Sequence, residues 1–336
     1  MTGVAAEPVR AGGPYFEDLR VGDVADAAPA LTLTDGHAAV HQAILGDRLR
    51  LALDTGLSRR VLGATLAHPA LVCDVAIGQS TLFTQRVIAN LFYRGLVLRR
   101  APVIGDTLRT TTEVVALRQN RPRPDRAATG LAVLRIRTTD QEDRRVLDFW
   151  RCAMLPLRDA ETATGHADDL DAIPAELPAD ALHDAVAGWD LAAFRAGVPG
   201  DHAAALREGG RWVVEGGDVV SAAPELARLS LNIATAHHDA TGPSRRRLVY
   251  GGHTIGLAAS QLTRALPNLV TVVAWHGCDH LGPVYEGDTL TSELELERLE
   301  PLAAGGALAH LRSRVRARRE DGDFDVLDWR PVGVVA

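Results

Sequence analysis

The chain of 336 residues carries one pattern twice, and that repetition restricts its possible folds more than any other feature. VIGDTLRTTTEVVALRQ (103–119) returns as YEGDTLTSELELERLE (285–300), with Gly105 matching Gly287 at a displacement of 287 − 105 = 182. VLDFW (146–150) returns as VLDW (326–329), displaced by 326 − 146 = 180. Upstream, GDRLRLALD (46–54) aligns with LNIATAHHD (231–239), displaced by 239 − 54 = 185. Three ordered matches at nearly constant spacing mean two copies of one domain. Whatever fold is adopted must therefore be buildable twice from the same order of elements.

That order is a polar turn, a long apolar helix (69–85 and 252–265) and four strand-like runs. In the first copy the runs are VIANLFYRGLVL, DTLRTTTEVVAL, GLAVLRIRTT and VLDFWRCAML. In the second they are VTVVAWHGCDHL, DTLTSELELERL, ALAHLRSRVRAR and FDVLDWRPVGVV. Several alternate apolar with polar residues, as half-buried antiparallel strands do. Ala309, Leu311 and Val315 against Arg312, Arg314 and Arg316 is the clearest case. The repeated G-D-T supplies a glycine where the chain reverses. One helix wrapped by a curved antiparallel sheet is the hot dog arrangement. The expectation is an α+β double hot dog: residues 1–158 as the first domain, 159–210 as linker and 211–336 as the second. The linker, rich in Ala and Asp with Pro174, Pro178 and Pro199, should carry a short helix near Asp190–Arg195. A segment that long belongs between domains rather than inside one.

Composition narrows the class. An apolar fraction of 46% and a charged fraction of 24% are those of an ordinary soluble globular protein. The net charge of −7 argues against nucleic acid as a partner, since that requires a concentrated basic face. All 36 basic residues are Arg, so Schiff-base chemistry is excluded. Cys73, Cys152 and Cys278 lie far apart with no CxxC spacing, which fits a reducing cytoplasm. MTGVAAEPVRAGGPYF lacks the basic-then-apolar order of a secretory signal. No apolar run approaches the roughly 20 residues that span a bilayer. A cytoplasmic protein with no membrane contact is expected.

Chemistry concentrates between Asn232 and Ser260. Asn232, His237, His238 and Asp239 precede an Arg-rich turn, and Gly251 and Gly252 then open the second helix. A histidine titrates near working pH, and a helix start offers free N–H donors with a favourable dipole. Together they suit a carbonyl or thioester, and paired glycines let such a carbonyl approach the backbone. The first copy has lost these letters. Asp47 stands opposite Asn232, Ala52 replaces the histidine, and Pro69 and Ala70 replace the glycines. Proline offers no N–H, so one site rather than two is expected. His238 is the alternative base. Asp239 recurs as Asp54 in the degenerate copy, which favours a capping role.

His276, Cys278 and His280 alternate along one strand and so should share a face. Such a set could bind zinc, but no fourth ligand is evident. Lining a substrate tunnel is the better expectation for His276 and His280, with Cys278 a core thiol. Arg94, Arg99 and Arg100 are either contacts for phosphate or carboxylate groups or solvated strand ends.

YFEDLRVGD (15–23), the repeated GDTL, and H-x-D before an Arg-rich turn and a small-residue helix resemble the MaoC-like hydratases. VIANLFYRGLVLRRAPVIGDTLRT (87–110), NIATAHHD (232–239), RLVYGGHTIGLA (247–258) and CDHLGPVYEGDT (278–289) are similar, more narrowly, to the branch acting on mesaconyl-CoA. The resemblance implies reversible hydration of a branched 2-enoyl-CoA. It places His237 at the family's histidine and Asn232 where the wider family has Asp. Losing that carboxylate leaves His237 as acid/base, with Asn232 orienting water and the Gly252 N–H holding the thioester oxygen. Gly251, Tyr250 and His253 would contact substrate. An Arg among Arg245, Arg246 and Arg247, with Arg247 the first choice, would meet a substrate carboxylate, and Arg94 the CoA arm. No metal or cofactor is implied, CoA being part of the substrate, and a homodimer is expected. Other readings are a dehydratase of another 3-hydroxyacyl thioester on CoA or a carrier protein, and an inactive thioester-binding scaffold. A thioesterase would place a carboxylate near the helix, where this chain has Asn232.

Overall fold

The computed structural model describes residues 11–123, 126–174, 176–241 and 246–336. In the first copy β1 (Ala89–Leu98), β2 (Thr107–Gln119), β3 (Thr129–Thr139) and β4 (Arg145–Pro156) follow helix α1 (Pro69–Gln79). In the second, β5 (Leu269–His280), β6 (Thr289–Pro301), β7 (Ala307–Arg319) and β8 (Gly322–Val335) follow helix α2 (Gly251–Ala265). The long strands run β2-β3-β4-β1-β5-β8-β7-β6 across one antiparallel sheet. The copies join at their first strands, where Tyr93 pairs with Cys278 and Val97 with Ala274. The double hot dog is thus one continuous sheet, and each half lends the other an edge that would otherwise stand open.

Helix α1 packs on β2 and β3, α2 packs on β6 to β8, and the helices touch each other. That double burial explains their composition. From Leu71 to Gln79 every residue of α1 is buried, as is every residue of α2 from Gly252 to Thr263. Neither needs a polar stripe. The first helix is shorter than the expected 69–85. Ser80 and Thr81 hydroxyls bond back to the carbonyls of Ile77 and Gly78, and the chain tightens into a 3₁₀ turn over Ser80–Leu82.

The G-D-T turns are twins in structure as in sequence. Gly105 and Gly287 take φ of 102° and 92°, a region that side chains disfavour. The aspartate that follows closes each turn, Asp106 accepting from the Val103 N–H at 2.9 Å and Asp288 from that of Tyr285 at 2.8 Å. The linker is more structured than its composition suggests. It carries helices Ala179–Asp184 and Leu191–Gly197, the second capped by Asp190 near the expected position. Leu182, Val186, Trp189 and Phe194 from this segment are buried in the main core. The strip Arg211–Val213 then pairs with β6, as Val24–Ala25 pairs with β2.

Candidate active site

A cavity of about 570 Å³ lies between the two copies. Asn232, His237, Tyr250, Gly251, Thr254 and His280 line it from the second copy, and Thr81, Thr84, Tyr93 and Arg151 from the first. Neither copy alone would make this enclosure.

The Asn232–His237 segment is held in place by α1. A Cβ built at Gly78 would fall on the carbonyl of Ser230, so only glycine lets the chain cross the helix this closely. Two further bonds fix the crossing: Ile233 N–H to Thr81 Oγ1 at 3.1 Å and Thr235 N–H to the Gln85 carbonyl at 2.9 Å. Asn232 is buried, and its Oδ1 accepts the Ala234 N–H at 2.9 Å. With that oxygen engaged, its side-chain NH₂ is the group left to hold a ligand.

His237 is only 8% exposed and ends a short 3₁₀ turn. Its Nδ1 lies 3.0 Å from the Leu248 carbonyl. A carbonyl can only accept, so Nδ1 carries the proton and Nε2 keeps a free lone pair. Burial lowers the imidazole pKa to about 4, against the Leu248 carbonyl, which raises it, while His238 and Arg151 add to the lowering. The ring is therefore neutral at ordinary pH and poised to accept a proton. His238 does something different. Its Nε2 is 2.7 Å from the Asn232 carbonyl, bracing the loop outside the cavity lining. Asp239 caps its own turn through the N–H and hydroxyl of Thr241.

The α2 N-terminus opens beside them. Tyr250 is the residue before the helix, its ring centroid 5.7 Å from that of His237. First-turn amides at Gly251 and Gly252 have no acceptor within the helix. The two glycines answer different neighbours. A Cβ at Gly251 would sit 2.7 Å from His280 Nε2, on the cavity side. One at Gly252 would overlap Asp74 of α1 and the Tyr250 ring, on the helix–helix side. Asp74 is buried with His41 Nε2 at 3.3 Å. Burial, with the Asp74 charge nearby, raises the Tyr250 phenol well above its usual range.

Four expected contacts lie elsewhere. His253 faces the helix interface near His41 rather than the cavity; it is fully buried with neither ring nitrogen bonded, and burial lowers its pKa to about 4. The third residue of a helix turns away from what the first one faces. Arg247 is paired with Glu286, which the Leu248–Tyr285 bridge brings alongside. Arg94 stacks 4.0 Å over Phe92 and donates to the Leu170 carbonyl, on the linker side of the sheet. His276 bonds His310 at 2.8 Å on the outer face. The register of β5 against β8 slips between Trp275 and Gly277, and this bulge breaks the alternation with Cys278 and His280. His280 does line the cavity, edge-on to Tyr93, and burial lowers its pKa to about 4. Among the described residues no group of three His, Cys, Asp or Glu could hold a metal ion. Arg245 falls outside the described residues, while Arg246 pairs with Asp288.

Arg151 escaped the sequence reading. It sits on β4 with its guanidinium buried at 3% exposure, donating to the Thr84 hydroxyl and, at 3.4 Å, to the Ser80 carbonyl. A signal was present. Leu147, Phe149, Ala153 and Leu155 form the inward face of this strand, and Arg151 interrupts it in register.

The equivalent region of the first copy is closed. Asp47 Oδ1 lies 3.2 Å from Nε2 of His68, which precedes α1 as Tyr250 precedes α2. Burial would raise the Asp47 pKa, but His68, the Leu49 N–H and His41 together offset it and the net shift is downward. The space beside this pair, walled by Ile255, Leu262 and Trp275, measures about 20 Å³. That is room for about one water.

No protein-family model matches the chain. Mesaconyl-CoA hydratase of Cereibacter sphaeroides is 30% identical over 89% of this chain and 88% of that protein. β-Methylmalyl-CoA dehydratase of Chloroflexus aurantiacus is 28% identical over 92% of this chain and 89% of its own length. Among solved structures, Rv0216 of Mycobacterium tuberculosis, a conserved hypothetical protein with a double hotdog fold, superposes with a TM-score of 0.91. It is 55% identical, the match covering 98% of this chain and all of that one. A cavity shared by two hot dog copies and full-length kinship with two hydro-lyases lead to one placement: the chain belongs to the MaoC-like hydratase family, with mesaconyl-CoA hydratase among its relatives.

Proposed function

We propose that the cavity hydrates a branched 2-enoyl-CoA reversibly, with mesaconyl-CoA and β-methylmalyl-CoA as the pair of substrates. The observation that carries this reading is the tautomer of His237. Its Nδ1–H is committed to the Leu248 carbonyl, so a lone pair on Nε2 is available in a cavity that Gly251, the first residue of α2, also lines. In the hydration direction Nε2 takes a proton from water as the water oxygen bonds to the β-carbon. The π electrons move to the thioester oxygen, which the free amides of Gly251 and Gly252 hold as it becomes anionic. The imidazolium then returns its proton to the α-carbon, and the thioester carbonyl re-forms. Asn232 holds the water through its side-chain NH₂ and cannot remove the proton itself. The reaction needs no cofactor beyond the CoA that the substrate carries. The names of the two relatives support the acyl group chosen.

A panel of enoyl-CoA substrates tests this. Mesaconyl-CoA should be hydrated with a higher kcat/KM than crotonyl-CoA. A preference for crotonyl-CoA would overturn the substrate, free thiol release would indicate a thioesterase, and no turnover of any thioester would leave a binding scaffold.

A further inference from the structure

Arg151 is a full positive charge in the apolar interior, and among the described residues it forms no ion pair. Its Nη2 is shared between Thr84 and Ser80, the Tyr93 phenol is a further partner, all three are neutral, and its Nε has no hydrogen-bond partner. Other, partly buried cations near this sheet are neutralised. Arg100 meets Asp106 and Asp140, and Arg319 meets Asp288. A buried guanidinium without a carboxylate is costly to keep. This one also opens on the cavity that holds His237 and Asn232.

The repeat sharpens the point. The second copy has an arginine in the matching string, VLDWR against VLDFWR, but one residue fewer before it. A one-residue difference reverses the face of a strand. Arg330 accordingly points outward and pairs with Glu297, the arginine exposed and the glutamate half-buried, while Arg151 points in. The inward arginine has no mate in its twin, so the repeated packing of the fold does not demand it.

We propose that Arg151 receives a carboxylate on the acyl group of the substrate, making this cavity selective for thioesters of dicarboxylic acids. The assignment rests on the thioester reading of the cavity. A planar guanidinium matches a carboxylate with two parallel bonds, and the partner here would be supplied by the ligand. Thr84, Ser80 and the Tyr93 phenol hold part of the fork, and a substrate carboxylate takes what they leave. Neutral acyl groups of the same length would leave the charge uncompensated and bind less well.

Calorimetry on the full chain with unreactive saturated thioesters separates this from the hydration chemistry. Succinyl-CoA and butyryl-CoA have the same carbon count and differ in the terminal carboxylate. The wild type should bind succinyl-CoA roughly 10- to 100-fold more tightly, the range of a charge-assisted hydrogen bond. Arg151→Gln should reduce that ratio to within about threefold, and Arg151→Lys, which keeps a charge but not the fork, should lie between. Equal affinities in the wild type would overturn the assignment. So would a ratio that persists in Arg151→Gln, or that falls in neither variant while both thioesters weaken alike, which would make Arg151 a structural cap on Ser80 and Thr84. If Arg151→Gln does not fold, an undiminished ratio in Arg151→Lys overturns it equally. A wild type that turns over no enoyl-CoA refutes the proposed reaction, while the binding ratio still decides the role of Arg151.

Discussion

Gly252→Ala is the most exacting test of the site's construction. In an ordinary helix the change would stabilise by up to about 1 kcal/mol, because glycine is the more costly residue to order. Here the new methyl would overlap Asp74 and the ring of Tyr250. Carbon atoms prefer separations of about 3.5–4.0 Å, so both neighbours would have to withdraw by more than an ångström. Neither is free to do so, since Asp74 is buried against His41 and Tyr250 is 2% exposed. Overpacking of this kind costs about 1–3 kcal/mol, leaving a net loss of up to about 2 kcal/mol after the helical gain. Units of 150–250 residues lose about 2–4 °C of Tm per kcal/mol, so a drop of several degrees is expected by calorimetry. Asp74→Ala in the same background should recover part of it, with a coupling of at least about 0.5 kcal/mol in the double-mutant cycle. A Gly252→Ala protein more stable than wild type, or strictly additive effects of the two changes, would refute the close approach of α1 to the start of α2.

His237→Gln should lower kcat by about 10²–10⁴ with little change in Tm, read by enoyl-CoA hydration and thermal melting; an active variant would remove His237 from the mechanism. Hydration by the wild type should persist well below pH 6 and fade only as pH approaches about 4, where His237 protonates; a decline centred near 6.5 would contradict its burial. Stability has a related sign. His237, His253 and His280 are held near 4 in the folded chain, so the unfolded chain binds more protons between that value and 6.5. Stability should therefore fall as pH drops through this window, and His253→Leu should reduce the slope by about 1.4 kcal/mol per pH unit, measured by urea unfolding at several pH values. Gly78→Ala should lift the Ser230–Asn232 crossing and cut turnover by about 10²-fold, the usual effect of misplacing a catalytic group by an ångström; unchanged turnover would show that the loop is not positioned there.

The repeat made the fold unusually legible. Each strand-like run lies within a residue or two of an observed strand, because two independent copies report the same element order. Divergence between the copies also singled out the Asn232–His237 segment and the glycine-led helix, which the structure brings to one cavity. What sequence could not supply was partnership across the chain. Arg247 and Arg94 read as free cations until Glu286 and the linker are brought beside them. His276 depended on unbroken alternation, and a single bulge removes it to the outer face. Arg151 was legible as a charge on an apolar face, yet its meaning needed the second copy's loop opposite it.

The continuous sheet has a consequence for how such a chain can specialise. A dimer of identical single hot dogs is bound by symmetry: a residue placed in one cavity is placed in the other as well. Covalent joining of two copies lifts that obligation. One half can surrender its pocket to about 20 Å³ of apolar packing, and the residues so released can serve the cavity that the two copies share. Arg151 is such a residue, lining the same cavity as His237, and neither is repeated at the matching position of the other copy. Two joined copies thus permit asymmetry, and an acyl chain with a thioester at one end and a carboxylate at the other, as proposed above, is the kind of ligand that would profit from it.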